Sequence, residues 1–164
     1  MLRLLLFVPC EKIITDFDHT VSLISILESI TVSGEIANEI APNAALPMQW
    51  VVSILWAREI DVIEPIEFEG KVDVIAPNGE ALMSGAILFT VSNEFSSFRN
   101  NIKFPAFPIG QQGVFLLKLS GKKVNDKKWE QFGDYPIHVK HNLEGANNEN
   151  ENKIENEQPS ESKI

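Results

Sequence analysis

Short apolar segments recur along the chain, and Pro, Gly or Asn residues separate most of them. Segments of this length and punctuation are typical of β-strands rather than of helices. The pattern predicts about seven or eight strands and almost no helix. The segments are Arg3–Cys10, Val21–Val32, Met48–Arg58, Phe68–Ile75, Ala81–Val91, Phe98–Phe104, Val114–Ser120 and Trp129–Lys140.

In two segments, Ala81–Val91 and Val114–Ser120, every second residue belongs to a set that is more apolar than the set between them. Successive side chains of a strand point to opposite faces, so this period of two predicts one buried face on each strand. Met48–Arg58 is apolar in both phases, which predicts a central strand covered on both sides. In Ala81–Val91 one phase holds Met83, Gly85, Ile87, Phe89 and Val91, and the other holds Leu82, Ser84, Ala86, Leu88 and Thr90.

The segment Ala76-Pro77-Asn78-Gly79 carries a turn signal with a clear mechanism. Proline presets φ at the second turn position and glycine supplies a positive φ at the end, as in a type I turn with a bulge. We therefore expect Phe68–Ile75 and Ala81–Val91 to form a hairpin. The only helical candidate is Glu35–Ile40, which is short enough to be a loop with at most one helical turn.

These features predict an all-β fold, a single antiparallel β-sandwich or barrel with the Greek-key sandwich favoured. Two details favour an immunoglobulin-like sandwich. The run from Gly113 to Leu117 resembles the Gly-x-Tyr-x-Cys sequence of the sixth immunoglobulin strand, and Trp50 or Trp56 occupies the third predicted strand. This run departs from those domains in having Phe115 at the position of the tyrosine and Leu117 at the position of the cysteine, so it lacks the tyrosine hydroxyl and the disulfide.

The length and charge distribution divide the chain into two parts. It has 164 residues and a formal net charge of −9, which fits one domain over residues 1–141. Residues 142–164 contain six Glu, two Lys and no aromatic residue. Such a segment buries too little apolar surface to offset its ordering entropy, so we expect a disordered acidic tail.

Charge and hydropathy also argue against several partners. An acidic chain lacks the basic footprint of a nucleic-acid-binding protein and is repelled by anionic lipid surfaces. The apolar run from Leu4 to Pro9 is shorter than a signal-peptide core and lacks a small-residue cleavage site. We expect no nucleic-acid or membrane partner, and a cytoplasmic protein whose first strand includes this run.

Several blocks of the sequence resemble a small bacterial family that is known only as a domain of unknown function. They are FVPCEKIITD, SLISILESI, ALPMQWVVSILW, FPIGQQGVFLLKL and DYPIHV, and the resemblance covers residues from Leu4 to Val139. It implies a bacterial, intracellular β-sandwich and brings no activity, ligand or site residue.

Residue types that carry chemistry are scattered. Cys10 lies in a strand without a neighbouring base, and a single cysteine forms no disulfide or cysteine-based zinc cluster. His138 and His141 point to opposite faces if they belong to one strand. Asp16 and Asp18 sit in a polar loop without calcium-loop spacing. Gly110-Gln111-Gln112-Gly113 leads into a strand without Lys or Arg. We therefore predict no catalytic residue, metal site or cofactor.

One segment stands out as a surface candidate. Aromatic residues cluster around basic and amide residues and are followed by two prolines, a composition that fits either an edge strand protected against aggregation or an edge that binds a partner. The predicted surface consists of Phe95, Phe98, Arg99, Lys103 and Phe104. The favoured function is a non-enzymatic protein-interaction or structural module that binds an unidentified protein or itself. The alternatives are a small-ligand-binding protein or enzyme with a loop-built site, and a phage-like homo-oligomeric subunit.

Overall fold

The computed structural model describes residues 2–34, 37, 39–58 and 64–142. Within these ranges the chain is all-β, with eleven strands, of which two are only two residues long. The strands are β1 Leu2–Thr15, β2 Val21–Ile26, β3 Ser29–Ser33, β4 Ala45–Leu46, β5 Trp50–Arg58, β6 Ile66–Ile75, β7 Ala81–Val91, β8 Ser97–Phe104, β9 Phe107–Pro108, β10 Gly113–Lys123 and β11 Glu130–Asn142.

The strands form two main sheets. Sheet A has the order β2-β1-β5-β8, and sheet B has the order β3-β11-β10-β6-β7. The short strands β4 and β9 pair separately. β11 runs through Asn142, the first residue of the predicted tail, while residues 143–164 of that tail lie outside the described residues.

Both sheets contribute to one hydrophobic cluster. Trp56 of β5 lies 6.1 Å from the ring of Phe89 on β7 and 5.0 Å from that of Phe132 on β11. At the other end of β5, Trp50 stacks on Phe104 at 4.4 Å. Aromatic pairs at such distances add to the stabilisation from burial. The contacts of Trp56 connect the two sheets through the core, whereas the stack of Trp50 on Phe104 joins neighbouring strands of sheet A.

The predicted alternation of Ala81–Val91 is confirmed. The phase from Met83 to Val91 faces the core cluster, and the opposite phase is exposed. The hairpin with β6 is also confirmed, because Gly79 has a φ of 87° and its amide donates to the Ala76 carbonyl at 2.9 Å.

The prediction of one strand over Val21–Val32 is wrong. The segment divides into β2, which pairs with β1 in sheet A, and β3, which pairs with β11 in sheet B. Between them, the Leu27 amide donates to the Pro9 carbonyl, while the Glu28 carbonyl accepts from the His138 amide. The chain therefore changes sheets at two consecutive residues, without any Gly or Pro to mark the break.

The purely antiparallel prediction is also wrong, because β3 runs parallel to β11. The segment Glu35–Ile40, predicted to be a loop with at most one helical turn, lies partly outside the described residues. Within the part that is described, Ala37 is buried. Nowhere in the part of the chain that the structure describes is there a helix long and apolar enough to span a bilayer.

Candidate functional site

The side of sheet A that points away from the core, here called the sheet A outer face, carries an apolar strip beside polar and charged residues. Residues that pair across neighbouring strands lie on the same side of a sheet, so the register defines this surface. Its apolar positions lie on β1, β2 and β5, while β8 supplies a polar column along one side. The members of the outer face are Arg3, Leu6, Val8, Cys10, Lys12, Ile14, Ser22, Ile24, Ile26, Val51, Ser53, Leu55, Ala57, Ser97, Arg99, Asn101 and Lys103.

Apolar side chains on this face are open to solvent to different degrees. On the edge strand β2, Ile26 is 50% exposed and Ile24 is 40% exposed. Val51 and Leu55 of the central strand β5 are half-buried, whereas the opposite phase of β5 is fully buried in the core. The sequence predicted β5 to be covered on both sides, and the outer side is covered only in part.

The β1–β2 hairpin extends this face beyond the rest of the sheet. β5 begins at Trp50, next to the pairing of Cys10 with Val51, so the later residues of β1 pair only with β2. Phe17 in the connecting turn is fully exposed. The hairpin therefore carries Phe17, flanked by the exposed residues Asp16 and Asp18, away from the body of sheet A.

Charge on the outer face has a single sign. Its charged members are Arg3, Lys12, Arg99 and Lys103, and none of the outer-face strand positions that the structure describes holds an Asp or Glu. The chain as a whole is acidic, with a net charge of −9. The four basic residues are therefore segregated from most of the acidic residues.

The corresponding side of sheet B differs in its charge. Its strands carry acidic and basic side chains together, and two ion pairs join Lys71 to Asp73 at 2.8 Å and Lys122 to Glu69 at 3.3 Å. Both lysine ammonium groups also lie just over 5 Å from the ring of Trp129. Sheet B thus pairs its charges internally, as an ordinary solvated sheet surface does.

Arg99 is held in place on the edge strand β8, halfway along the polar column of the outer face. Its Nη1 donates a hydrogen bond of 2.6 Å to the Oγ of Ser53, whose residue is completely buried. The half-buried guanidinium therefore satisfies the Ser53 hydroxyl, which would otherwise be a costly polar group between Val8 and Asn101. This hydrogen bond fixes one positive charge beside the apolar strip.

Cys10 occupies the same face and is completely shielded from solvent. It pairs with Val51 on one side and Ile26 on the other. Burial raises the pKa of the Cys10 thiol, and a backbone hydrogen bond at Lys12 and the charge of Arg99 oppose this rise only in part. A buried thiol with a raised pKa carries little of the nucleophilic thiolate.

We expect the Cys10 thiol to react with an aromatic disulfide reagent about a hundredfold more slowly in the folded protein than in urea, because access requires local opening of sheet A. Absorbance of the released thiolate at mildly alkaline pH measures the rate. Equal rates in the folded and denatured states would contradict this description of the face.

A groove of about 630 Å³ lies where the β1–β2 hairpin passes the ends of β5 and β8. Lys12 and Lys103 of the outer face contribute to it, together with one acidic residue, Glu11. Its remaining lining is Ile13, Thr15, Gln49, Trp50, Val51, Asn101, Phe104 and Pro105. The groove therefore continues the outer face into a concave corner.

The structure separates the five residues of the predicted surface. Phe104 is 3% exposed and belongs to the core, and Phe98 is half-buried against the same cluster, 5.5 Å from Phe89. Arg99 and Lys103 alternate with them and lie on the outer face. Phe95 is exposed in the preceding loop. Arg99 and Lys103 therefore lie beside the apolar strip of the outer face, whereas Phe98 and Phe104 face the core.

The other candidate residues are dispersed. His138 is exposed on β11, while the Nε2 of His141 contacts the Ile109 carbonyl at 2.8 Å. The amide of Thr20 donates to the Asp18 carboxylate within the β1–β2 turn, and this hydrogen bond lowers the pKa of Asp18. Among the described residues, no group of three His, Cys, Asp or Glu side chains is arranged to hold a metal ion.

A second pocket, of about 280 Å³, opens beside the turn between β10 and β11. Its floor is apolar, but its rim mixes lysines with acidic residues and therefore selects no sign of charge. The lining residues are Leu2, Ile66, Phe68, Val91, Gly121, Lys122, Lys123, Asp126, Lys128, Glu130 and Phe132.

Comparisons with known proteins add no functional assignment. Neither a family model nor a curated protein matches this chain. The resemblance to a bacterial family therefore stays a prediction, and the functional argument depends on the sheet A outer face itself.

Proposed function

We propose that this protein is a non-enzymatic interaction module that binds a protein partner on the sheet A outer face. The observation that carries the proposal is an apolar strip on β1, β2 and β5 in which Ile14, Ile24 and Ile26 are exposed and Val51 and Leu55 are only half-buried. Contiguous exposed apolar surface on a folded domain marks interaction sites, because leaving it in water is unfavourable.

The arrangement of residue types also fits an interface. Protein interfaces have an apolar centre and a polar rim, and here Val8, Val51 and Ile26 form the centre while β8 and the ends of β1 supply the polar rim. Ser53 and Cys10 in the centre are small and buried, so the surrounding side chains present a continuous surface.

We infer in addition that the two sheets pack as an immunoglobulin-like Greek-key sandwich. The order β11-β10-β6-β7 in sheet B and the pairing of β5 with β8 in sheet A resemble the GFCC′ and BE arrangements of that fold. In such a sandwich the outer faces and the loops are the surfaces that bind partners. The cytoplasmic location expected from the sequence remains part of this proposal.

The test uses uncharged variants of the apolar strip. In the variant Val8→Thr/Ile26→Thr/Val51→Thr, β-branched side chains of high β-propensity remain, but a hydroxyl group replaces a methyl group of each Val and the ethyl group of Ile26. The matched control is Leu88→Thr/Val114→Thr, which alters exposed apolar residues on the opposite side of the molecule.

We expect immobilised native protein and the control to retain the same protein from an extract of the source cells, and the strip variant to retain less than about a tenth as much. Calorimetry with that purified protein then measures direct binding. Equal retention by the strip variant and the native protein would contradict the proposal. Sedimentation velocity shows whether the bound partner is a second copy of the chain.

A further inference from the structure

We propose that the partner of the sheet A outer face is a protein segment that combines acidic and apolar side chains, an inference that rests on the proposed interaction function. The four charges of the face are all positive, and they surround an apolar strip. A partner that buries the strip without supplying carboxylates would leave these cations without opposite charges, at a cost in desolvation.

The location of the basic residues supports this complementarity. Lys12 and Lys103 lie together in the groove beside the hairpin, where Glu11 is the one acidic residue of the lining. Arg99 lies at the centre of the β8 column. Arg3 marks the far end of the face, where it pairs with Ala57. A strand or loop that crosses the face would therefore meet positive charge at both ends and along one side.

The same charges argue against a symmetric dimer through this face. Two copies that dock face to face would bring eight positive charges together with no carboxylate from either strand surface. Like charges that meet across an interface cost several kcal/mol. The favoured occupant is therefore a different surface, one that is acidic.

Nucleic acid and lipid fit the face less well than an acidic protein segment. Single-stranded nucleic acids bind by stacking on aromatic side chains, and the described strand positions of the outer face include no Phe, Tyr or Trp. Four cations on a chain with a net charge of −9 give little attraction to an anionic bilayer.

The experiment uses a fluorescently labelled random copolymer of glutamate and tyrosine as the probe, because it offers carboxylates and apolar surface without a defined sequence. The test variant is Lys12→Glu/Lys103→Glu. The control is Lys127→Glu/Lys140→Glu, which changes the net charge by the same amount at exposed positions outside the outer face. Fluorescence anisotropy measures Kd at several salt concentrations, and circular dichroism checks that each variant folds.

We expect the native protein to bind the copolymer with an affinity that falls as salt rises. The Kd should increase about tenfold or more in the test variant and less than about twofold in the control. Equal weakening in both variants, or no binding at low salt, would overturn the inference. Tighter face-dependent binding of a DNA oligonucleotide or of phosphatidylserine vesicles would overturn it in favour of those ligands.

The two proposals fail in different ways. If the cellular partner is lost by the uncharged threonine variant but kept by Lys12→Glu/Lys103→Glu, the interaction function stands and the acidic partner is wrong. If neither variant loses the partner, the partner binds elsewhere, and the assignment of the sheet A outer face as the binding site is wrong.

Discussion

Replacement of Trp50 by alanine is expected to lower the free energy of unfolding by about 4 kcal/mol, the largest effect among the substitutions considered. Trp50 is completely buried, stacks on Phe104 at 4.4 Å and contacts Phe107 at 5.4 Å. Its Nε1 donates a 2.8 Å hydrogen bond to the Ala106 carbonyl. The substitution therefore removes two ring contacts, leaves a cavity and removes a partner of that carbonyl.

Urea denaturation followed by circular dichroism measures this loss. The matched control is Trp129→Ala, since Trp129 is only half-buried and interacts with the ammonium groups of Lys71 and Lys122. A cation–π contact at such a site contributes about 1 kcal/mol or less. Similar losses for the two variants would mean that Trp50 does not anchor the core as described.

Alanine at Gly110 is expected to cost about 3 kcal/mol. A Cβ atom at this position would lie 2.0 Å from the carbonyl oxygen of Pro42 and 2.7 Å from that of Ala41. These atoms belong to the backbone, so no rotamer change relieves the clash. The amides of Ile109 and Gly110 both donate to the Ala44 carbonyl, and separation of the two segments would break these hydrogen bonds as well.

Gly70→Ala is the control for this effect. A Cβ atom there would meet the flexible side chains of Ile87 at 3.3 Å and Phe89 at 3.4 Å, which adjust at a cost of about 1 kcal/mol or less. Urea midpoints of both variants decide the comparison. A loss at Gly110 no greater than that at Gly70 would show that the loop from Ala41 to Ala44 moves freely.

Local sequence patterns predicted much of the secondary structure. The strand Ala81–Val91 has the predicted ends, and its turn with β6 follows from a proline and a glycine at fixed positions. The division of Val21–Val32 was not predicted because Ser25, Leu27 and Glu28 carry no strong breaking signal. Ser25 adopts a φ of 53° and Leu27 is buried, which are tertiary effects that override local propensity.

The candidate site was predicted only in part. Strict alternation along Ser97–Phe104 separates Phe98 and Phe104 from Arg99 and Lys103, whereas composition alone groups all four. Met48–Arg58 is apolar in both alternating sets of residues, and this pattern indicates that apolar side chains also lie on the outer side of β5. The charge segregation itself depends on the registers that place Arg3 of β1 and Arg99 and Lys103 of β8 on the same side of the sheet, and Lys12 with them beside β2. No local pattern contains these registers.

The parallel pairing of β3 with β11 has a consequence for synthesis on the ribosome. Ser29 lies opposite His138, so β3 leaves the ribosome long before β11, its strand partner among the described residues, exists. Until then Ile30 and Val32, which later pack with Val139 and the core, have no sheet to join. A nascent chain therefore carries an unpaired apolar segment through most of its translation, a period in which chaperones bind exposed strands.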